Sequence, residues 1–318
     1  MSAEGASRLQ HQSSPMQRRW RVVRRAFGAE FDRLHDRRRV AAIVILALVF
    51  ALIGAGVLAR GEEAGSDARA YWAAVRIWLN GGDPYHPSGP FLPYVYAPWM
   101  LPLFTPWALL PWEVAWFVWR GGIVVAWLAT IHWAYERRPL STALAVLLLA
   151  FPVGANLDTG NVTLLLALGL WVAQFSEARL AGLIWAIATW MKWVPAPFWL
   201  LLAPRARTWG LVWLALASIL SLLTLPLTII QLQALFGFGP RLPRLDYLVL
   251  LWATVPWLWR HPAALARFDP RTWPASLGLL RRRAGALRSG WTSDPRGAGQ
   301  RARVEIRAFL GLENRGAG

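Results

Sequence analysis

Long apolar runs separated by short polar, Gly/Pro-punctuated stretches dominate the chain. Val40 to Ala59 is uncharged for twenty residues, long enough as a helix to cross a hydrocarbon core of about 30 Å. Arg37-Arg38-Arg39 stands before it and anchors its start on one side; the run lies too far into the chain for a secretory signal. Residues 60–93 are polar and read as a loop on the far side. Tyr94 to Leu110 is apolar but broken by Pro98, Pro102 and Pro106, which predicts a broken or re-entrant segment. Trp112 to Trp133 then crosses back to Glu136-Arg137-Arg138. Leu140 to Val153 returns and ends in the polar turn Asn156 to Asn161. Val162 to Phe175 crosses again, and Leu180 to Met191 comes back out to Lys192. Val194 to Ala203 dips toward Arg205 and Arg207, Trp209 to Ile230 goes out, Gly237 to Arg244 forms a loop, and Leu245 to Trp259 returns to Arg260.

The fold class this predicts is all-α, a polytopic transmembrane helix bundle with about eight membrane segments, some short or re-entrant. The walk follows hydrophobicity alone, yet it sets the arginine clusters at 37–39, 137–138, 205–207 and 260 on one side, the asymmetry expected of a cytoplasmic face. Three regions follow: a basic cytoplasmic tail over 1–39, a transmembrane domain over 40–260 with an extracytoplasmic loop at 60–93, and a basic cytoplasmic tail over 261–318. Within the last, Leu277 to Arg283 predicts a surface-lying basic helix, and the final residues a mobile end. The expected location is the cell membrane.

Composition agrees. Of 318 residues, 56% are hydrophobic and 16% charged, where a soluble domain carries about 45–50% and about 25%. The 22 tryptophans suit a protein with indoles at a lipid–water boundary. There is no cysteine, which removes thiolate catalysis and thiolate metal sites. The net charge of +17 resides mostly in the two tails, where anionic lipid explains it better than nucleic acid, since stacking aromatics are sparse there. The five histidines show no paired spacing, so no metal is expected, and no glycine-rich phosphate loop or nucleophile elbow points to a cofactor.

The candidate chemistry lies at the far ends of the apolar segments: Asp67, Arg69, Arg76, Asp83, Asn156, Asp158, Asn161 and Lys192 share one face. Ser66 reads as a helix cap with Asp67 in the first turn, and Tyr71, Val75, Trp78 and Leu79 follow at helical spacing until Gly81-Gly82. Asp67 is either a capping carboxylate or a base toward a hydroxyl. Lys192, the one lysine among 34 basic residues, is either a snorkelling anchor or a compact cation for a phosphate. Asp158 and Asn161 either shape a hairpin or orient a sugar hydroxyl.

These residues also carry a resemblance. Asp67-x-x-x-Tyr71, Asn80-Gly81-Gly82-Asp83-Pro84-Tyr85, Tyr94-x-Tyr96-Ala97-Pro98 through Pro106 and Leu110-Pro111 are similar to glycosyltransferase family 87, membrane enzymes of GT-C type that use polyprenyl-phosphate mannose. The family's Gly-Gln-x-Asn turn appears as Gly160-Asn161-Val162-Thr163, departing at its second and fourth positions, and its Lys-x-x-Pro as Lys192-Trp193-Val194-Pro195. The resemblance spans about residues 40–210; family members usually continue through further helices, so it implies a shortened member. It implies Asp67 as general base, a polyprenyl-phosphate-linked sugar as donor, a glycolipid or glycan as acceptor, and no cofactor. Lys192 is the first candidate for the donor phosphate, then Arg69 and Arg76, with Tyr71, Asp83, Tyr85, Asp158 and Asn161 among the substrate-binding side chains. A non-catalytic membrane subunit and a lipid flippase or transporter are the competing classes.

Overall fold

A computed structural model of the chain describes residues 36–61, 64–237 and 245–261. Most of the two basic tails, the expected helix at Leu277 to Arg283 and most of the Gly237 to Arg244 loop lie outside the described residues. Those described are mostly helical, with no strand among them and one long irregular stretch over 80–97. The α-helices are α1 (Arg37–Ala59), α2 (Ser66–Leu79), α3 (Leu101–Ala108), α4 (Trp112–Arg137), α5 (Pro139–Leu148), α6 (Ala150–Thr159), α7 (Val162–Ala173), α8 (Ala178–Met191), α9 (Pro204–Leu223), α10 (Leu225–Gly237) and α11 (Val255–Arg260). Short 3-10 helices fill Pro98–Met100, Ala196–Leu201 and Leu245–Thr254.

Among the described residues three helices, α1, α4 and α9, are long and apolar enough to cross a membrane. The pair α5 and α6 makes a fourth if read as one span bent by 58°. The remaining apolar helices α7, α8 and α10 are shorter than a full crossing. The outward faces carry large apolar side chains, among them Leu48, Phe117, Leu148 and Leu223, as a lipid-facing surface requires.

The helix α7 is the centre. Nine of its twelve residues are buried, so it is apolar all round and has neighbours on every side. Val162, Leu166 and Leu170 pack with α2, the Tyr94–Leu110 segment and α8 in one core. Leu164, Leu168 and Trp171 face a second core built from α1, α4, α5, α6 and the Leu245–Thr254 helix, where Trp171 stacks on Trp252 at 5.3 Å. Small residues let α8 and α9 approach: a Cβ on Gly182 would lie 2.5 Å from the Gly210 nitrogen. Gly182→Val is therefore expected to cost about 1–3 kcal/mol, read as a lower denaturation midpoint in detergent.

Helix ends gather at two poles. At one, Arg39 lies 5.9 Å from the Tyr135 ring, Arg138 lies 5.8 Å from the Trp259 ring, and Arg260 donates to Gln174. Trp213 donates to the Arg179 carbonyl, and Arg205 borders the same cavity as Gln174, so the arginine clusters share this pole. At the other, the Arg60 guanidinium pairs with Asp158 at 3.2 Å and Lys192 meets Asn161. Indoles serve as platforms at both: Arg69 stacks on Trp112, Arg76 on Trp72, Arg137 on Trp133 and Arg179 on Trp209. The abundance of tryptophan and arginine is thus partly one feature.

Four expectations need correction. Ser66 does not cap α2: the N-cap is Gly65, held at φ 86° with its N–H on the Asp158 carbonyl at 2.7 Å, and Ser66 is the first helical residue. The Leu140 to Val153 run is two helices, and Asn156 to Thr159 is the last turn of α6 rather than loop, because the Asn156 side chain is satisfied inside by the carbonyls of Pro152 and Asp246 and the Leu164 N–H. Trp209 to Ile230 breaks at Thr224, just before Pro226, whose ring removes a helical N–H. Leu245 to Trp259 is mostly 3-10 helix rather than one α-helix.

Candidate functional site

The first turn of α2, the α6–α7 turn and the end of α8 converge at the Asp158 pole. Gly65 and Gly160 make the convergence possible. Gly160 takes φ 69° as the C-cap of α6, and a Cβ there would lie 2.6 Å from the Ala68 Cβ and 2.7 Å from Trp116. Trp119 fastens the turn by donating to the Gly160 carbonyl. With α2 this close, Asp67 meets Asn161, the N-cap of α7.

The contact is direct. Asn161 Nδ2 donates to Asp67 Oδ2 at 2.7 Å, while Asn161 Oδ1 accepts from Lys192 Nζ at 2.8 Å. One amide thus carries the carboxylate at one end and the chain's single lysine at the other. Lys192 Nζ also donates to Thr163 Oγ1 at 2.8 Å and lies 4.8 Å from the Tyr247 ring centre. Asp67 and Lys192 are both half-buried, whereas Asn161 is 3% and Thr163 0% exposed. Asp67 Oδ1 accepts no hydrogen bond from the described residues. The arrangement pairs a proton acceptor with a nearby cation at the rim of a buried polar network, which is chemically able to take a proton from a hydroxyl and neutralise a departing anion.

Tyrosines floor the site. Tyr71, one turn along α2 from Asp67, shares a hydrogen bond with Tyr96 at 3.1 Å. Burial, then the charge of Asp67, push the Tyr71 hydroxyl far above its ordinary pKa, so it stays a neutral O–H. Tyr85 donates to the Tyr96 carbonyl and is likewise pushed up by burial. Asp83 turns the chain beneath: burial raises its pKa, but bonds from His86 and the Tyr85 N–H outweigh that and hold it below the ordinary carboxylate range.

Not every residue on the shared face joins the site. Arg76 is spent on the end of α3, donating to the carbonyls of Ala108, Leu109 and Leu110 at 3.0–3.2 Å. Asp158 pairs with Arg60, and Asn156 braces the Leu245–Thr254 helix. Arg69, stacked on Trp112, borders a cleft of about 130 Å³ with Ser66, Phe91 and Leu92, next to Asp67 along α2. A roomier cavity of about 430 Å³, bordered by Gln174, Ser176 and Arg205, lies at the arginine pole, away from this chemistry. Sequence reasoning missed Thr163, Tyr96 and Tyr247 as neighbours of the site. Thr163 did carry a signal, as the fourth position of the turn beginning at Gly160.

The apolar helices, the two poles and the carboxylate–amide–lysine network together define a membrane protein with a polar centre at one pole. Residues 94–280 match the family model described as Glycosyltransferase family 87, and the chain belongs to that family; it is a membrane glycosyltransferase. The match takes in Asn161, Thr163 and Lys192, with Asp67 upstream of it, and runs beyond the 40–210 stretch that carried the sequence resemblance. No curated protein and no solved structure matches the chain.

Proposed function

We propose that the chain is a GT-C-type enzyme that transfers a hexose, mannose on the family resemblance, from a polyprenyl-phosphate donor to an acceptor hydroxyl of a glycolipid or glycan. The observation that carries the reading is the single amide joining Asp67 to Lys192. The acceptor oxygen attacks the anomeric carbon, its proton passes to Asp67, and the bond from that carbon to the phosphate oxygen breaks with its electrons on the phosphate. Displacement in line inverts the anomeric configuration. A phosphate leaves as an anion and needs no acid, so one carboxylate suffices, while Lys192 offers the positive charge that the departing oxygen requires. Arg69, at the neighbouring cleft, is the second cation within reach of a charged headgroup. The arginine pole faces the cytoplasm by the positive-inside rule, which puts both termini inside and the Asp67 pole outside, in the cell membrane.

The test is transfer of radiolabelled mannose from polyprenyl-phosphate mannose by membranes holding the protein, with anomer analysis of the product. Inverted product is expected; absence of transfer with this donor overturns the donor assignment. Lys192→Ala is expected to lower kcat/KM for the donor about 100-fold, as losing one charge-stabilising donor does elsewhere. Unchanged donor dependence would reduce Lys192 to a membrane anchor.

A further inference from the structure

The bridge between Asp67 and Lys192 works only if the Asn161 amide faces one way. The oxygen and NH₂ of an amide are close in size, and the flipped form would set a carbonyl oxygen against the carboxylate and N–H groups against the ammonium. Three donors converge on Asn161 Oδ1: Lys192 Nζ at 2.8 Å, Thr163 Oγ1 at 2.6 Å and the Thr163 N–H at 3.0 Å. Thr163 supplies two of them, and its hydroxyl accepts from Lys192 Nζ at 2.8 Å as well. Helix capping does not need this hydroxyl, because the N–H bond to Asn161 Oδ1 already caps α7. Packing does not need it either, since the fully buried position lies between Val162 and Leu164 on an otherwise apolar helix.

We infer that Thr163 is a positioning residue for sugar transfer: its hydroxyl locks the Asn161 amide so that the NH₂ holds Oδ2 of Asp67, and it steadies Lys192 at the other end. The inference rests on the reading of Asp67 as base and Lys192 as phosphate partner. Held by one oxygen, Asp67 keeps Oδ1 for the acceptor hydroxyl, and the carboxylate cannot swing away between turnovers. A buried polar network of this kind is worth having only when every member is satisfied, which is why a hydroxyl occupies a site of apolar shape.

The chain's single lysine allows a readout that needs no substrate, because an amine-reactive reagent such as trinitrobenzenesulfonate can modify only Lys192 and the terminal amine. Thr163→Val keeps the shape and removes the hydroxyl; Thr163→Ala serves if the valine form does not fold. Either is expected to label Lys192 several times faster and to lower kcat about tenfold, the scale of a small misplacement of reacting groups. Thr163→Ser should return both readings to within about twofold of the parent, because it restores the hydroxyl alone. Parent-like labelling and kcat in the variant without the hydroxyl, or a serine form that rescues neither, overturns the inference. Should the parent fail to transfer from the polyprenyl-phosphate donor while the labelling difference persists, the donor reading fails and what stands is the lock that Thr163 sets on Asn161 and Lys192.

Discussion

Asp67→Asn is expected to lower kcat by about 10³-fold, within the range that a positioned general base contributes. An asparagine at this position still presents an oxygen to Asn161 Nδ2, so the 2.7 Å contact, the amide and Lys192 keep their places. Only the capacity to accept a proton is lost. Donor affinity, followed by binding of a labelled polyprenyl-phosphate sugar, should therefore change little while turnover collapses. Equal turnover in the two proteins would remove Asp67 from the reaction and leave it a carboxylate in the first turn of a helix. Simultaneous loss of donor binding would show that its charge organises the pocket rather than the proton transfer.

Gly160→Ala is expected to be almost as damaging from outside the chemistry. Three penalties coincide there: φ 69° strains any side chain, and the new methyl would sit 2.6 Å from Ala68 Cβ and 2.7 Å from the Trp116 ring. Ala68 adjoins Asp67, so relief of the overlap moves the first turn of α2 away from α7. A displacement of about 1 Å suffices for a loss of about 100-fold in kcat. Because the neighbour is a methyl, Ala68→Gly in the same protein should recover part of the rate, and the double variant measured against both singles separates crowding from backbone strain. If Gly160→Ala turns over like the parent, α2 and the α6–α7 turn are not held at the spacing that sets Asp67 on Asn161.

Sequence reasoning found the pole but not the contacts, and particular residues show why. Hydrophobic runs report depth in a bilayer, so Asp67, Asn161 and Lys192 could be set on one face from the segments they terminate. Depth carries no azimuth. Arg76 sits on the same helix as Asp67 yet is turned to the carbonyls of Ala108, Leu109 and Leu110, and Asp158 is one residue past Leu157 yet turned to Arg60. Tyr247 follows a stretch whose apolar content says nothing of its partner, and only the fold brings its ring beside Lys192. The helix break at Leu149 lies in a run that stays apolar on both sides, and hydrophobicity alone also passes over the break at Thr224, although Pro226 just after it carries the signal. The departures from the family's turn are legible in retrospect: Asn161 and Thr163 are the two residues that hold the amide network together.

The way α2 grips the broken segment after it has a mechanical consequence. Trp72 and Arg76 hold the carbonyls of Ala108 to Leu110, and Tyr71 holds Tyr96, so helix and segment travel as a single piece that also carries Asp67. Prising them apart would drag the carboxylate out of register. The segment's opposite flank is tied by fewer bonds, Trp99 to the Ser221 hydroxyl and Gln231 to the Val95 carbonyl, so the segment is fastened to the helix that bears the carboxylate more firmly than to α9 and α10.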